Sequence, residues 1–354
     1  MKRGSKRDGE RTPGSTPGST QGGGRLQLTA SPHLKAPDST PRIMWTVVAS
    51  LIPIIAAATW FFGPSALLVI GAATAGCLLT ERLFGTDGSL GDGSALITGL
   101  LLGLVLPAGI PMWMAFVGGV FAIGFGKLLF GGLGQNVFNP ALLGRAFLQA
   151  AFPTAITTWS GAPESWSTLR GDNFAFPLMS ADAPDVLTAA TPLGLWKFEQ
   201  VPTELWDLMI GNTGGSLGET SGLLILLCAG YLALKNYLNW RIPVSIFATV
   251  AGFSGILHLV DPTRFAHPLV MLFSGALILG ATYMATDMVT SPVTNAGAWI
   301  FGFGIGALVV LIRTWGGLPE GVMYAILLMN AMVPFINRAT QPRVFGHALR
   351  EGAT

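Results

Sequence analysis

Three short polar stretches interrupt an otherwise apolar chain, and each carries residue types suited to holding a polar ligand. The first is Phe130-Gly-Gly-Leu-Gly-Gln-Asn-Val-Phe-Asn-Pro-Ala141. Asn136 and Asn139 are three apart, so at helical spacing they share a face. Pro140 then removes a donor from the hydrogen-bond ladder beside them. Two amides next to freed backbone groups suit the edge of a polar, planar ligand. The same pair equally suits capping a helix start and tying helix to helix. A P-loop is excluded, because no Gly-Lys-Ser/Thr follows the glycines and Lys127 precedes them.

The second stretch is Thr286-Asp287-Met-Val-Thr-Ser-Pro-Val-Thr294. A carboxylate at the end of an apolar run is costly unless it is paired, hydrated or functional. Asp287 therefore either meets a ligand's donor edge or an ion, or ends one helix before Ser291-Pro292 starts the next. The third is Asp185-Val-Leu-Thr-Ala-Ala-Thr-Pro-Leu193, where Thr188 and Thr191 with Pro192 spell a turn and a helix start. No histidine lies between 153 and 220, so a threonine nucleophile there lacks a base and a catalytic triad is not expected. A threonine modified by a separate enzyme fits the same residues. His33, His258, His267 and His347 show no metal-ligand spacing. Arg145 and Arg313 are lone cations in or near apolar runs. They suit neutralising a phosphate, pairing with an acid or snorkelling to the interface, and snorkelling is the expected default.

The elements that position these residues follow from composition. The 354 residues include 51% apolar and only 11% charged positions, against ~25% charged in ordinary globular proteins. That is too little charge to cover a soluble surface of this size. Glycine, at 47 residues, is nearly twice its usual ~7% share. Apolar, charge-poor and glycine-rich together predict an all-α polytopic membrane protein with closely packed helices. Cys77 and Cys228 stand alone, which excludes a disulfide framework, a CxxC zinc site and a self-contained iron–sulfur cluster. A net charge of +2 implies no nucleic-acid partner.

Residues 1–42 form a basic tail with a low-complexity centre, expected to be disordered and cytoplasmic. Ten apolar runs follow, at about 43–62, 65–80, 94–107, 112–130 and 137–152, then 221–238, 242–260, 268–286, 295–313 and 321–337. Several fall short of the ~20 residues of a perpendicular span, which is tolerated where irregular backbone is buried in protein or lines a cavity. The expected organisation is a five-helix repeat over 43–152, an outer loop over 153–220, a second repeat over 221–337 and a cytoplasmic tail over 338–354. The positive-inside rule supports this arrangement. The first tail carries eight basic residues against three acids, whereas the long loop carries two (Arg170, Lys197) against eight. Four of the ten tryptophans (Trp159, Trp166, Trp196, Trp206) lie in that loop, as an interfacial aromatic belt would place them. The halves also resemble each other: Gly131–Ala146 aligns without gaps on Gly316–Ala331 with seven of sixteen positions identical. Two related halves of five helices each would be inverted in the membrane, with binding sites near their interface.

On the GGLGQNVFNPA, TDMVTSP and TAATPL stretches, the chain resembles the D subunits of Rnf electron-transport complexes. These are related to the B subunits of Na+-translocating NADH:quinone reductases, and the resemblance covers nearly all of 43–340. It implies FMN attached through its phosphate to Thr191, with Thr188 and Ala189 replacing the more usual serine and glycine upstream. It also implies that Asn136 and Asn139 lie near a second, non-covalent flavin, riboflavin. As a member of that family the chain would carry electrons as one subunit of an ion-translocating oxidoreductase, and would not be catalytic alone. Its partners would be the A, B, C, E and G subunits, with ferredoxin and NAD(H) reached through them, in the bacterial inner membrane among lipid. The Thr191 loop would be periplasmic and both termini cytoplasmic. The rival class is a channel or secondary transporter for a small polar solute, supported by the internal repeat and the scarcity of membrane charge.

Overall fold

The computed structural model describes residues 38–85, 89–159, 169, 173–177, 191–201, 203–211, 213–219 and 221–342. Among them the protein is helical, with a lone bridge between Pro107 and Ser216 and no strand. Each apolar run contains a helix. In the first half these are α1 (Thr40–Phe62), α2 (Pro64–Phe84), α3 (Ser94–Leu104), α4 (Met112–Gly126) and α5 (Pro140–Ala151). The second half holds α6 (Gly222–Leu234), α7 (Arg241–Val260), α8 (Pro268–Phe273), α9 (Leu277–Leu279), α10 (Asn295–Trp315) and α11 (Val322–Ala339). The expected helix over 268–286 is thus broken. α8 stops before Ser274, Gly275 turns the chain, and α9 runs on as a π-helix over Gly280–Met284.

Among the described residues, six helical segments are long and apolar enough to cross a membrane by length and composition, and α3 and α6 are shorter apolar helices. Their outward faces are greasy: Trp60 is 74% exposed, Leu234 88% and Leu259 83%. Soluble monomers do not display such faces over whole helices, whereas lipid covers them without cost. The chain is an all-α membrane protein.

Local sequence explains where the helices begin and end. Gly63 takes a left-handed φ of 73°, and Pro64 then opens α2 at a position whose N–H has no helical partner anyway. Pro140 and Pro268 open α5 and α8 in the same way. Glycine sets the packing distance. A Cβ on Gly76 or Gly119 would strike the backbone carbonyl of Phe116 or Ala73, so α2 and α4 meet backbone to backbone. In the second half a Cβ on Gly302 would lie 2.8 Å from the Ile242 carbonyl oxygen, and one on Gly306 3.0 Å from that of Ile246. Small residues at such contacts permit the close approach that holds helices together in lipid.

The two halves repeat one packing scheme. α2 packs on α3 and α4, and α4 on α5; α7 packs on α8 and α10, and α10 on α11. The halves meet where α1 lies against α6 and α5 against α11.

Candidate functional site

Two cavities collect most of the sequence-identified residues, one around the asparagines and one around Thr191. The first has a free volume of about 100 Å³, and its walls include Asn136, Asn139, Asp287 and Lys127. The two polar stretches 130–141 and 286–294, far apart in sequence, therefore converge on one space. The asparagines do not share a helix face. Pro140 starts α5, which leaves Asn139 as its N-cap and Asn136 in the loop before it. Asn139 Oδ1 accepts from the Ala141 N–H (3.0 Å) and the Leu142 N–H (3.3 Å). Its Nδ2 donates to the Met284 carbonyl at 3.2 Å, tying the two halves together. Both ends of that amide are thus structural. The amide of Asn136 donates to the Phe138 carbonyl (3.3 Å) and its side chain also meets Asp287. Asp287 accepts from the Val289 N–H (3.3 Å) and the Thr290 hydroxyl (3.1 Å). Burial pushes its carboxyl up from the usual range, against these hydrogen bonds.

Lys127 brings a charge to this cavity. Its Nζ lies 2.6 Å from Glu81 Oε1, 2.5 Å from Ser94 Oγ and 3.9 Å from Asp92 Oδ2. Glu81 and Lys127 are both almost wholly buried. Asp92 Oδ1 in turn accepts from the Ser94 N–H at 2.8 Å, at the start of α3. An isolated charge there would be prohibitive, and mutual neutralisation makes the pair tolerable.

The second cavity, about 300 Å³, is lined by Thr191, Arg145, Glu320, Trp159, Phe198 and neighbours. Thr191 is the N-cap of a short helix opened by Pro192, and its Oγ1 accepts from the Gly194 N–H at 3.1 Å. Thr191 is half-buried and lines this space. Thr188 and Asp185 lie outside the described residues, as does the tail over 1–37.

Behind Thr191 the broken helix is clamped by buried charges. Arg145 Nη2 lies 2.6 Å from Glu320 Oε2. Glu320 Oε1 accepts from the Ala276 N–H at 2.8 Å, placing a carboxylate at the amide end of α9. Arg313 Nη1 and Nη2 donate to the carbonyls of Met271 (2.5 Å) and Ser274 (3.0 Å), placing a cation at the carbonyl end of α8. Each charge thus complements the dipole of the half-helix it touches. Gly275 has a φ of 68°, and a Cβ there would lie 3.0 Å from Arg313 Nη2, so a larger residue is excluded twice over. The expectation that Arg145 and Arg313 snorkel is corrected, since they are only 5% and 3% exposed. Acceptors within reach engage the two guanidinium groups where they stand, so neither has to extend to the interface.

Glu219 and Glu320 complete the cluster. Burial, then the neighbouring Glu320, pushes the Glu219 carboxyl up to about 8, against the Ser216 hydroxyl bond and Arg145. Burial also pushes Glu320 upward. Arg145, the Ala276 N–H and Arg313 outweigh this and hold it below the usual range. The half-helix over 277–284 joins the two sites. Glu320 pins one end of it, while Met284 at the other meets Asn139, and Thr282 and Tyr283 line the first cavity.

Residues 27–346 match the NQR2, RnfD, RnfE family. The chain belongs to that family. Its relatives include the D subunit of the proton-translocating ferredoxin:NAD(+) oxidoreductase complex of Clostridium ljungdahlii, 39% identical over 90% of this chain and 96% of the relative. The D subunit of the ion-translocating oxidoreductase complex of Stutzerimonas stutzeri is 42% identical over 88% and 94%. The D subunit of the Na(+)-translocating ferredoxin:NAD(+) oxidoreductase complex of Acetobacterium woodii is 38% identical over 91% and 95%. Relatives of this NQR2, RnfD, RnfE member at almost equal identity are thus named for different ions, so overall similarity does not set the ion.

For this family member, sequence reasoning singled out neither the Glu81–Lys127 pair nor Glu219 and Glu320. Glu81 and Lys127 carried a usable signal, as opposite charges at the end of the 65–80 run and inside the 112–130 run. Glu320 carried a fainter one, falling where the repeated segment places Gln135 in the first half.

Proposed function

We propose that this chain is a flavin-carrying membrane subunit of an ion-translocating ferredoxin:NAD+ oxidoreductase complex, with FMN held by a phosphoester to Thr191. The observation that carries this is that Thr191 and the buried Arg145 line one cavity of about 300 Å³. That volume is at the lower end of the ~300–1,000 Å³ usual for small-molecule sites. Arg145 supplies the positive charge a phosphate needs, and Trp159 and Phe198 supply apolar wall. Bound there, FMN would supply one- and two-electron redox chemistry. The protein's share is to retain the group through Thr191 and to set the local charge with Arg145 and Glu320.

The relatives' shared name supports the complex, whose A, B, C, E and G subunits would be the partners. Electrons would come from or go to ferredoxin and NAD(H) through those partners. In this reading the chain crosses the bacterial inner membrane ten times as two inverted five-helix repeats. Its termini are cytoplasmic and the Thr191 loop is periplasmic, as the charge asymmetry and the repeated packing support. The second, extractable flavin at Asn136 and Asn139 does not follow from the same geometry. About 100 Å³ is too little for a three-ring system, and the Asn139 amide is spent on helix contacts. These residues as they stand do not accommodate it.

The test is fluorescence of the denatured protein on a gel under ultraviolet light, from a host that contains the flavin-transferring enzyme. We expect a fluorescent wild-type band that disappears in Thr191→Ala. A dark wild-type band would instead favour a solute transporter.

A further inference from the structure

We propose that Arg145 is the residue that grips the phosphodiester linking Thr191 to its flavin, holding the cofactor's anionic end against the broken helix. The inference rests on the Thr191 attachment above and adds a positioning residue to it. Three observations lead there. Arg145 and Thr191 line the same cavity. Arg145 spends Nη2 on Glu320, but its buried Nε has no acceptor among the described residues. A buried guanidinium N–H without a partner is expensive and calls for a ligand, an ion or a water to complete it. This one borders a cavity large enough to hold a ligand.

The third observation is the charge balance. Arg145 and Arg313 bring two positive charges to the cluster, and Glu320 returns one. Glu219, the other buried acid, stays protonated near neutrality. Glu199 also lines the cavity but is solvent-exposed. The interior is left one positive charge in excess. A phosphodiester carries one negative charge, so attachment at Thr191 would neutralise the site. The guanidinium suits the task, because its Nε–H can donate to a phosphate oxygen while Nη2 stays on the Glu320 carboxylate. Arg145 would then hold the phosphate and, through Glu320, the start of α9 in one line of contacts.

The experiment compares full-length protein made with and without co-expression of the flavin-transferring enzyme. Wild type, Arg145→Gln and Arg145→Lys are measured in the same detergent. Thermal midpoints of the loaded and unloaded forms, and the fluorescence anisotropy of the attached flavin, are the readouts. For wild type we expect loading to raise the midpoint by several degrees and the flavin to be nearly immobile. In Arg145→Gln the loaded chain should lose most of that gain and its flavin anisotropy should fall, with Arg145→Lys between the two. Because Arg145→Gln strands Glu320, the double variant Arg145→Gln/Glu320→Gln provides a chain without an unpaired carboxylate. It should show the same loss. A fluorescent Arg145→Gln or double variant that keeps the wild-type gain and anisotropy would overturn the proposal. A wild-type chain that carries no flavin would overturn the Thr191 reading instead, so the two failures are distinct.

Discussion

Lys127 and Glu81 illustrate how a charge persists inside a membrane protein. Neither could be there alone, and the 2.6 Å contact between them makes each a condition for the other. Removing one partner of such a pair typically costs about 3–5 kcal/mol, because the survivor keeps its desolvation penalty. Lys127→Met should therefore lower the thermal midpoint in detergent strongly. Lys127→Met combined with Glu81→Met should recover much of the loss. A Lys127→Met chain as stable as wild type would mean that water or another donor already satisfies Glu81 without the lysine. Asn139 teaches a related lesson, since a residue suited to binding a ligand edge is fully employed as a cap and a tie between halves. Asn136, displaced from the helix by Pro140, remains on the cavity wall beside Asp287.

Among the helices, contacts between backbones decide the geometry. The α7–α10 contact depends on Gly302 and Gly306, where no side chain fits without displacing Ser245 or Thr249. Gly302→Leu should destabilise by about 1–3 kcal/mol or more through overpacking. Gly252→Leu, on the same α7 but with open space around it, should be nearly neutral. Equal losses in a thermal-aggregation assay would show that helix propensity or lipid contact, not close approach, controls the interface. Much of this level was legible in sequence. Each apolar run contains a helix, because hydropathy and flanking Gly or Pro encode boundaries locally. The break within 268–286 was not legible. Ser274-Gly275 reads like any small pair, and only Arg313 and Glu320, distant in sequence, make an interruption there stable. The convergence of 130–141 on 286–294 was hidden for the same reason, since it depends on α5 meeting the second half. Thr191, singled out from its motif, lines the second cavity, whereas the arginine on the same cavity looked like a snorkelling cation until the fold supplied an acid.

For the whole molecule, charge asymmetry and the repeated packing give a definite orientation to test. Glu204→Cys and Lys235→Cys, both at exposed positions, should lie on opposite sides of the membrane. A membrane-impermeant maleimide applied to spheroplasts should label the first, and reach the second only after permeabilisation. The native Cys77 and Cys228 are buried and should stay silent. Labelling of both from one side would contradict the proposed topology. The interrupted helix has a further consequence at this scale. At ~1.5 Å per residue, 277–284 is a strut about 12 Å long with a buried carboxylate at one end and an inter-half amide at the other. A strut so short and so firmly held behaves as a lever without slack. Natural variation that adjusts either compartment must therefore be matched at the other, and drift across this segment should be concerted, not independent.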